Sequence, residues 1–476
     1  MTKHLQYALL IGFILRLFSS YFVYGPQALD DYLNQILPAL RMDQGLPHDL
    51  PVYRSALMIW ILLGWTKLGH LLAIETVLSQ IRWIYFFLGT TSLIGILGVH
   101  YYFSDKKDSL AYKLSLYLMA AYGLMPFIST RGFLESFATC FVTFGLGLLV
   151  HAIREKKDIL ICAGLYLIGF ATLLRFQVGL IYVFAVAYFI YQKNWKLFFQ
   201  SIGVGIALIL TQIGIEVLDG RAPMSVLLNY FKANENVAQY GAQPWYTTWA
   251  TWLFFLYFPF SIGIAKGAKQ LKDHSLLIGS TLFFVFVHSL VPHKEERFLY
   301  PIVGLTIIIL AIAWANQWGQ RWEKIIFRPG FYFLNSILLV VGCFVNTQVG
   351  EIGFPAEIQQ QSNKVLYFDR DSLVGLGYMH EIFIRPPSKL IKLTDKISNE
   401  ALAPYRHELQ NMDGFVLLTS NPDYRGELQV FSGKMALWFQ CSVESEKNSL
   451  TDALIYKMNP KRNYRRRPTW AVVCLK

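Results

Sequence analysis

The chain has 476 residues, of which 54% are hydrophobic, 16% aromatic and only 16% charged, and its mean hydropathy is +0.38. That balance excludes an ordinary water-soluble protein of this size and makes a lipid bilayer its solvent. A net charge of +12 would suit a nucleic-acid binder, but in a membrane chain Lys and Arg first report topology, so nucleic acid is not expected as a partner.

The stretch from Thr2 to Tyr24 has a basic start and an apolar body but no small-residue cleavage site, and reads as a retained first helix. Further apolar segments lie near 82–103, 110–128, 133–152, 158–173, 176–191, 198–218, 248–265, 275–292, 298–315 and 330–347. Together they predict about eleven crossings of the usual span length. An apolar piece at 56–72 is ambiguous. If it crossed, the basic loops at Lys106-Lys107, Arg154 to Lys157, Lys193 to Lys196, Lys266 to Lys272 and Arg321 to Arg328 would fall on the side opposite Lys3. If it does not cross, all of them share the cytoplasmic side with Lys3, as the positive-inside rule requires. The piece is therefore expected to be re-entrant or to lie in the interface. Segments 25–55, 129–135, 219–246 and 293–297, the richest in unusual polar residues, then emerge together on the outer face.

The domain expectation is a multi-spanning, all-α membrane domain over 1–348 and a small soluble α+β extracytoplasmic domain over 349–476. In the latter, Lys364 to Phe368, Phe415 to Thr419, Glu427 to Phe431 and Trp470 to Leu475 read as strands between Pro, Asn, Asp and Gly turns. Cys140, Cys162 and Cys343 sit in apolar runs without metal-ligand spacing and read as small buried hydrophobes; Cys441 and Cys474 are the two able to meet as a disulfide.

The sharpest chemical feature is His293-Lys294-Glu295-Glu296-Arg297, five ionisable residues between two apolar runs. One reading is a solvated loop that holds two helices apart. The other starts from the absence of any Gly, Ser or Asn spacer, which keeps these charges at the membrane surface or in a polar cavity. There an unpaired charge costs about 3 kcal/mol or more, which argues for a ligand. His, Lys and Arg together suit a phosphate, with Glu295 and Glu296 orienting the cations.

Asp30 and Asp31 open the first external loop and are either a helix cap or the seat of a general base acting on an acceptor hydroxyl. A leaving phosphate departs as an anion, so one carboxylate and several cations suffice, whereas a glycosidase needs a second carboxyl as acid. Arg16 lies inside the first helix and reads as either a structural pair or a functional group; Arg131 and Arg175 sit at outer helix ends as candidate phosphate ligands. Trp245, Tyr246, Trp249 and Trp252 form an interfacial belt, with Trp245 the candidate for stacking on a sugar. Asp369-Arg370-Asp371 caps a turn more readily than it catalyses, and Arg462, Arg465, Arg466 and Arg467 form a basic patch suited to anionic lipid heads.

These motifs carry a resemblance. HKEERFLYP at 293–301 resembles the signature of the Alg9-like and GPI-type mannosyltransferases, polytopic enzymes of the GT-C superfamily that use polyprenyl-phosphate mannose. Leu29-Asp30-Asp31-Tyr32-Leu33-Asn34 is similar to the family's acidic first-loop box, Arg54-Ser55 to its RS pair, and Thr130-Arg131 with Glu135 to its TRxxSNxxE stretch. The segments from Asn229 to Asn234 and from Tyr240 to Tyr246 resemble its NFLxFN and YGxxPW segments, in family order.

The resemblance implies the GT-C fold and inverting transfer of mannose from a polyprenyl-phosphate donor to a glycan or glycolipid hydroxyl, without metal or cofactor. It implies Asp30 as catalytic base, Asp31 and Trp245 on the acceptor, and Arg131, Arg175, His293, Lys294 and Arg297 on the donor phosphate. Arg16, Arg54, Glu135, Glu295, Glu296 and Tyr240 would support them. The divergent loops and the lack of a eukaryotic retention signal point to a bacterial inner membrane, with the site facing the periplasm. A transporter or flippase, or a ligase or polymerase using an undecaprenyl-diphosphate donor, remains the alternative, although no internal repeat of the transporter kind is seen.

Overall fold

The computed structural model describes residues 2–25, 29–47, 50–255, 261 and 267–347, and beyond them 352, 356, 365–370, 381–383, 388–393, 403–405, 407, 411–419, 440–447, 449–458 and 469–475. The chain divides into two compact units. The first comprises Met1–Tyr21, Asp49–Trp65 and Ile84–Phe344; the second comprises Phe22–His48, Thr66–Trp83 and Val345–Lys476.

The first unit is a helical bundle. Among the described residues, seven helices are long and apolar enough to cross a bilayer: Lys3–Phe22, Val77–Tyr102, Leu134–Glu155, Trp195–Leu218, Leu271–Leu290, Glu296–Ala315 and Glu323–Phe344. Four shorter apolar helices accompany them, at Leu57–Leu71, Leu110–Ala121, Asp158–Leu174 and Phe176–Tyr191. The expected span at 248–265 is described only as far as helix Tyr246–Ala250 and its continuation Thr251–Phe255. Glu296–Ala315 is the core helix, 89% buried, whereas Glu323–Phe344 is 22% buried and turns Tyr332, Phe333 and Val340 outward. An apolar face left exposed along a whole helix is what a bilayer covers. Where helices approach most closely they do so through glycine: a Cβ on Gly147 would stand 2.0 Å from the Gly98 carbonyl oxygen.

One face of the bundle is laced by polar side chains around the N-terminus. Thr2 bonds to the Tyr112 hydroxyl at 2.8 Å, His4 to Tyr117 at 3.0 Å and His100 to Tyr112 at 2.9 Å. Arg154 pairs with Asp105 at 2.6 Å, Lys196 with Asp158 at 2.7 Å, and Tyr188 with Ser275 at 2.9 Å. Basic residues at 106–107, 154–157 and 193–196 therefore share a face with Lys3, as the charge pattern predicts.

The ambiguous Leu57–Leu71 helix docks through Trp60 and Trp65. Trp60 donates its indole N–H to Asp219 at 3.0 Å, one residue past helix Trp195–Leu218. Trp65 stacks on Phe87 at 4.7 Å, and Phe87 touches Phe137, three residues into Leu134–Glu155.

A helix is broken inside the bundle between Leu110–Ala121 and Leu124–Ser129, and side chains satisfy the freed backbone. Arg16 donates to the carbonyls of Ala120 and Met119, the latter at 3.1 Å. Asn335 donates to Ala121 O at 2.8 Å and accepts from Gly123 N at 2.7 Å. In lipid every such group needs an internal partner, which is why a buried Arg and Asn stand in otherwise apolar helices. Arg16 thereby caps a helix carboxyl end.

The second unit contains a five-stranded sheet in the order β2-β1-β3-β5-β4, where β1 is Val365–Arg370, β2 Lys389–Leu393, β3 Gly414–Thr419, β4 Gln440–Lys447 and β5 Thr469–Leu475. β1, β2 and β3 are parallel, and β5 runs antiparallel to both β3 and β4. Three of the four expected strands are present. The stretch from Glu427 to Phe431 lies outside the described residues, as do Asp371, Arg462, Arg465, Arg466 and Arg467. Cys474 is disulfide-bonded, and its register partner across the β4–β5 pair is Cys441; Cys140, Cys162 and Cys343 are free thiols. Early segments belong to this unit because they bond to it: Gln44 donates to Ile382 O at 3.0 Å, and the Gly25 and Tyr24 amides donate to Asn346 at 3.0 and 3.2 Å.

Candidate active site

At the face that holds Trp60 and Asp219, the first unit gathers polar chemistry at helix ends. Glu135 opens helix Leu134–Glu155 with 0% side-chain exposure and takes an ion pair from Arg175, which ends helix Asp158–Leu174 and is 11% exposed. Phe176, next to Arg175, meets the ring of Tyr230 at 5.2 Å. Tyr230 sits on the amphipathic helix Ser225–Asn234 and lies in the electrostatic field of Arg175, Glu135 and Arg54. Burial pushes its phenol above the ordinary value against the pull of Arg175, so at neutral pH it remains an O–H donor.

The His293 to Arg297 segment adjoins the same cluster: Tyr300 feels the charges of Glu296, Glu135, Arg297 and Glu295 and packs edge-on to Phe133 at 5.2 Å. Within the segment, Glu295 is the hub. It accepts from Arg297 and, at 2.9 Å, from His293. Burial works to raise this carboxyl, but Arg297 and the two hydrogen bonds outweigh it and hold it below the usual carboxylate range.

Lys294 is used differently. It donates to the carbonyls of Val291 and, at 3.1 Å, Gln243, and burial lowers its ammonium pKa. Gln243 answers with its own N–H to Pro292 O at 3.0 Å and its side-chain amide to Lys294 O at 3.3 Å. The Gly241 to Trp245 stretch is thus zipped to the charged loop by backbone bonds that the residue types alone do not announce.

Arg131 is also drawn into the scaffold. It is 1% exposed and donates to Ser19 at 3.0 Å, Thr130 at 2.9 Å and Gly342 O at 2.8 Å. Burial lowers its pKa to about 10, which leaves it charged at neutral pH. Grouping Arg131 and Lys294 with Arg175 and Arg297 follows from charge and position; the structure directs these two into carbonyls and hydroxyls of neighbouring segments.

Arg54 leans on the Tyr53 ring at 5.9 Å, and its carbonyl accepts from Arg221 at 3.3 Å. Trp245 and Tyr246 are 64% and 57% exposed, while Trp252 is buried and bonded to Thr306 at 3.0 Å, so the four aromatics do not form one belt. Of Tyr240 only the backbone is described, at the end of a short 3-10 turn from Val237. Asp30 and Asp31 belong to the second unit. They form the first turn of a helix that continues to Asp43, with Asp30 exposed, Asp31 buried and Asn34 donating to Asp30 O at 2.6 Å.

Sequence reasoning missed Glu216. It is 1% exposed and accepts from Gln212 at 2.9 Å and from Val226 N at 3.2 Å, which anchors the helix that carries Tyr230. The available signal was an acid inside an apolar run, where an ionisable residue is costly. Among the described residues no group of His, Cys, Asp and Glu is arranged to hold a metal.

Comparison with known proteins supplies the context. GPI alpha-1,2-mannosyltransferase 3 of Danio rerio is 30% identical over 100 residues, and that of Bos taurus 26% over 129 residues. Those stretches cover only 18% and 22% of the two relatives, and 20% and 26% of this chain. The crystal structure of ArnT from Cupriavidus metallidurans bound to undecaprenyl phosphate is similar with a TM-score of 0.64 at 10% identity, covering 99% of this chain and 97% of that one. Its apo form gives 0.61 at the same identity. The fold is therefore that of the GT-C glycosyltransferases. The profile of the Alg9-like mannosyltransferase family matches residues 48–386, and the chain belongs to that family of membrane glycosyltransferases.

Proposed function

We propose that the protein transfers mannose from a polyprenyl-phosphate carrier to a hydroxyl of a glycan or glycolipid acceptor, with inversion, and that the reaction takes place at the face carrying Glu135, Arg175 and Arg297. The observation that carries this reading is the pairing of two largely buried guanidiniums, Arg175 and Arg297, each with its own glutamate, near Tyr230 and Tyr300. An ion pair of this kind keeps its cation oriented, and Arg reads a phosphate as a fork. Binding of undecaprenyl phosphate by ArnT, which shares the fold, supports a polyprenyl phosphate as carrier here.

In the proposed step, the Asp30 carboxylate takes the proton of the acceptor hydroxyl while that oxygen bonds to the anomeric carbon. The bond from that carbon to the phosphate oxygen breaks, and polyprenyl phosphate leaves as an anion facing Arg175, Arg297 and His293. Asp31 supports the base, Trp245 offers an exposed face to the acceptor sugar, and Arg16, Arg131 and Lys294 hold the scaffold. An extracytoplasmic position for the tail is supported by the disulfide at Cys474, since such bonds persist in oxidising compartments.

The test supplies membranes containing the protein with a panel of polyprenyl-phosphate sugars and follows label into lipid, glycan and protein. Transfer from the mannosyl carrier that disappears in Asp30→Asn is the expected result; labelling from a diphosphate carrier alone would replace this reading.

A further inference from the structure

Helix Ser275–Leu290 carries one ionisable residue, His288, in an otherwise apolar run. A titratable ring inside a membrane helix is either held by a structural bond or reserved for a ligand. Here the two roles fall on different atoms. Nδ1 lies 2.9 Å from Phe284 O, and since a carbonyl only accepts, Nδ1 carries the proton. The ring also stacks on Phe284 at 4.1 Å, which fixes its plane. In the neutral imidazole Nε2 is then an acceptor. The residue is 9% exposed, and no hydrogen bond to Nε2 is found among the described residues.

The charge of Arg175 acts on this ring, which brings His288 to the cluster of Glu135, Arg175 and Tyr230. Helix packing agrees. Gly179–Tyr191 runs against Ser275–Leu290, with the Tyr188 hydroxyl on Ser275 at 2.9 Å and the Phe184 ring on Phe283 at 5.7 Å and over Gly279. Equal rise along both helices, about 10 Å from the Phe184 contact, brings Gln177 level with His288. The side-chain Nε2 of Gln177 is buried and has no hydrogen-bond partner among the described residues. An unpaired acceptor and an unpaired donor thus stand beside Arg175, and such atoms are costly to bury unless a ligand meets them.

We propose that His288, with Gln177, reads one hydroxyl of the sugar on the donor and so helps set which sugar is transferred. The hydroxyl donates to His288 Nε2 and accepts from the Gln177 amide. This rests on Arg175 as a ligand of the donor phosphate, since the sugar is bonded to that phosphate. A site built to hydrogen-bond a hydroxyl rejects the analogue that lacks it, because its buried polar atoms are then left unpaired.

The test measures equilibrium binding to the full-length protein in detergent, without acceptor. The ligands are polyprenyl phosphate, polyprenyl-phosphate mannose and its monodeoxy analogues, one for each free hydroxyl. Loss of one hydroxyl should weaken binding to the parent by about tenfold. In His288→Asn, whose amide still reaches Phe284 O but not the Nε2 position, that analogue and the intact donor should bind alike. Unglycosylated carrier should bind this variant as it binds the parent, at an unchanged thermal midpoint. His288→Gln, which returns an acceptor near Nε2, should recover part of the discrimination. Gln177→Leu should reduce it without lowering the midpoint, because the N–H it removes has no protein partner. A parent that treats all the deoxy donors as mannose, or a His288→Asn variant that discriminates as the parent does, overturns the inference. So does equal loss of carrier and sugar donor. Should His288→Asn fail to fold, unchanged discrimination in Gln177→Leu overturns it instead. Discrimination in a parent that transfers sugar to no acceptor overturns the proposed reaction and leaves the sugar site standing.

Discussion

Glu135 and Arg175, separated by 40 residues of chain, meet as a buried ion pair that joins the start of one membrane helix to the end of the next. Removing one partner leaves an uncompensated buried charge, which costs about 3–5 kcal/mol. Glu135→Gln and Arg175→Met should each lower the thermal midpoint in detergent, and the double variant should lose less than the two single losses combined. Arg175→Lys, which keeps charge but not the fork, should preserve folding and raise KM for the donor.

Asp30→Asn should reduce transfer by a factor of about 100 to 10,000, the usual contribution of a general base, with donor binding and membrane insertion intact. Single-turnover kinetics with labelled carrier measure it. A variant that keeps full turnover removes Asp30 from the chemistry.

The depressed pKa of Glu295 fixes the sign of one pH effect. A carboxyl whose folded value lies below its unfolded value contributes stability above the unfolded value and loses it as pH falls through the folded one. Thermal stability contributed by the Glu295 cluster should therefore be full at neutral pH and fade only in acid below the ordinary glutamate range. In Glu295→Gln that part of the acid dependence should disappear, which a melting series from neutral to acid pH would show.

Glu216 acts on the site through helix Ser225–Asn234. Glu216→Ala leaves Val226 N and Gln212 without their acceptor, a loss of about 1–3 kcal/mol. Protease cleavage in the 219–246 stretch should rise, and KM should change more than kcat. Glu216→Gln, which can still accept both bonds, should restore resistance.

Cysteine labelling checks the path of Leu57–Leu71. Single cysteines at Gly220 and at Leu72 should react with the same side-specific reagent, and one at Lys107 with the opposite one. Labelling of Leu72 together with Lys107 would make the helix a crossing.

The residue order already contained much of this. Long apolar runs gave the helices, and the distribution of Lys and Arg gave the shared face of Lys3 and the basic loops, because both depend on one-dimensional patterns that lipid enforces. The stretch at 56–72 was ambiguous by hydropathy; it forms the 15-residue helix Leu57–Leu71, with Trp60 on Asp219 and Trp65 on Phe87. β2 and β4 were missed since Lys389–Leu393 and Gln440–Lys447 carry too many charged or polar residues to show a buried face. At the site, charge marked Arg131 and Lys294 as surely as Arg175 and Arg297. Only geometry separates a cation that meets a carbonyl from one that meets a carboxylate, and a carbonyl leaves no mark in the sequence.

The helix interruption after Ala121 ties distant positions to a common fate. Arg16 and Asn335 serve adjacent backbone groups at one gap, so the two side chains act on a single feature. Substitutions there should be strongly non-additive. A continuous helix engineered through Gly123 should make both residues dispensable at once, were it not that Gly123 is also where the Leu338 side chain leaves no room for a Cβ.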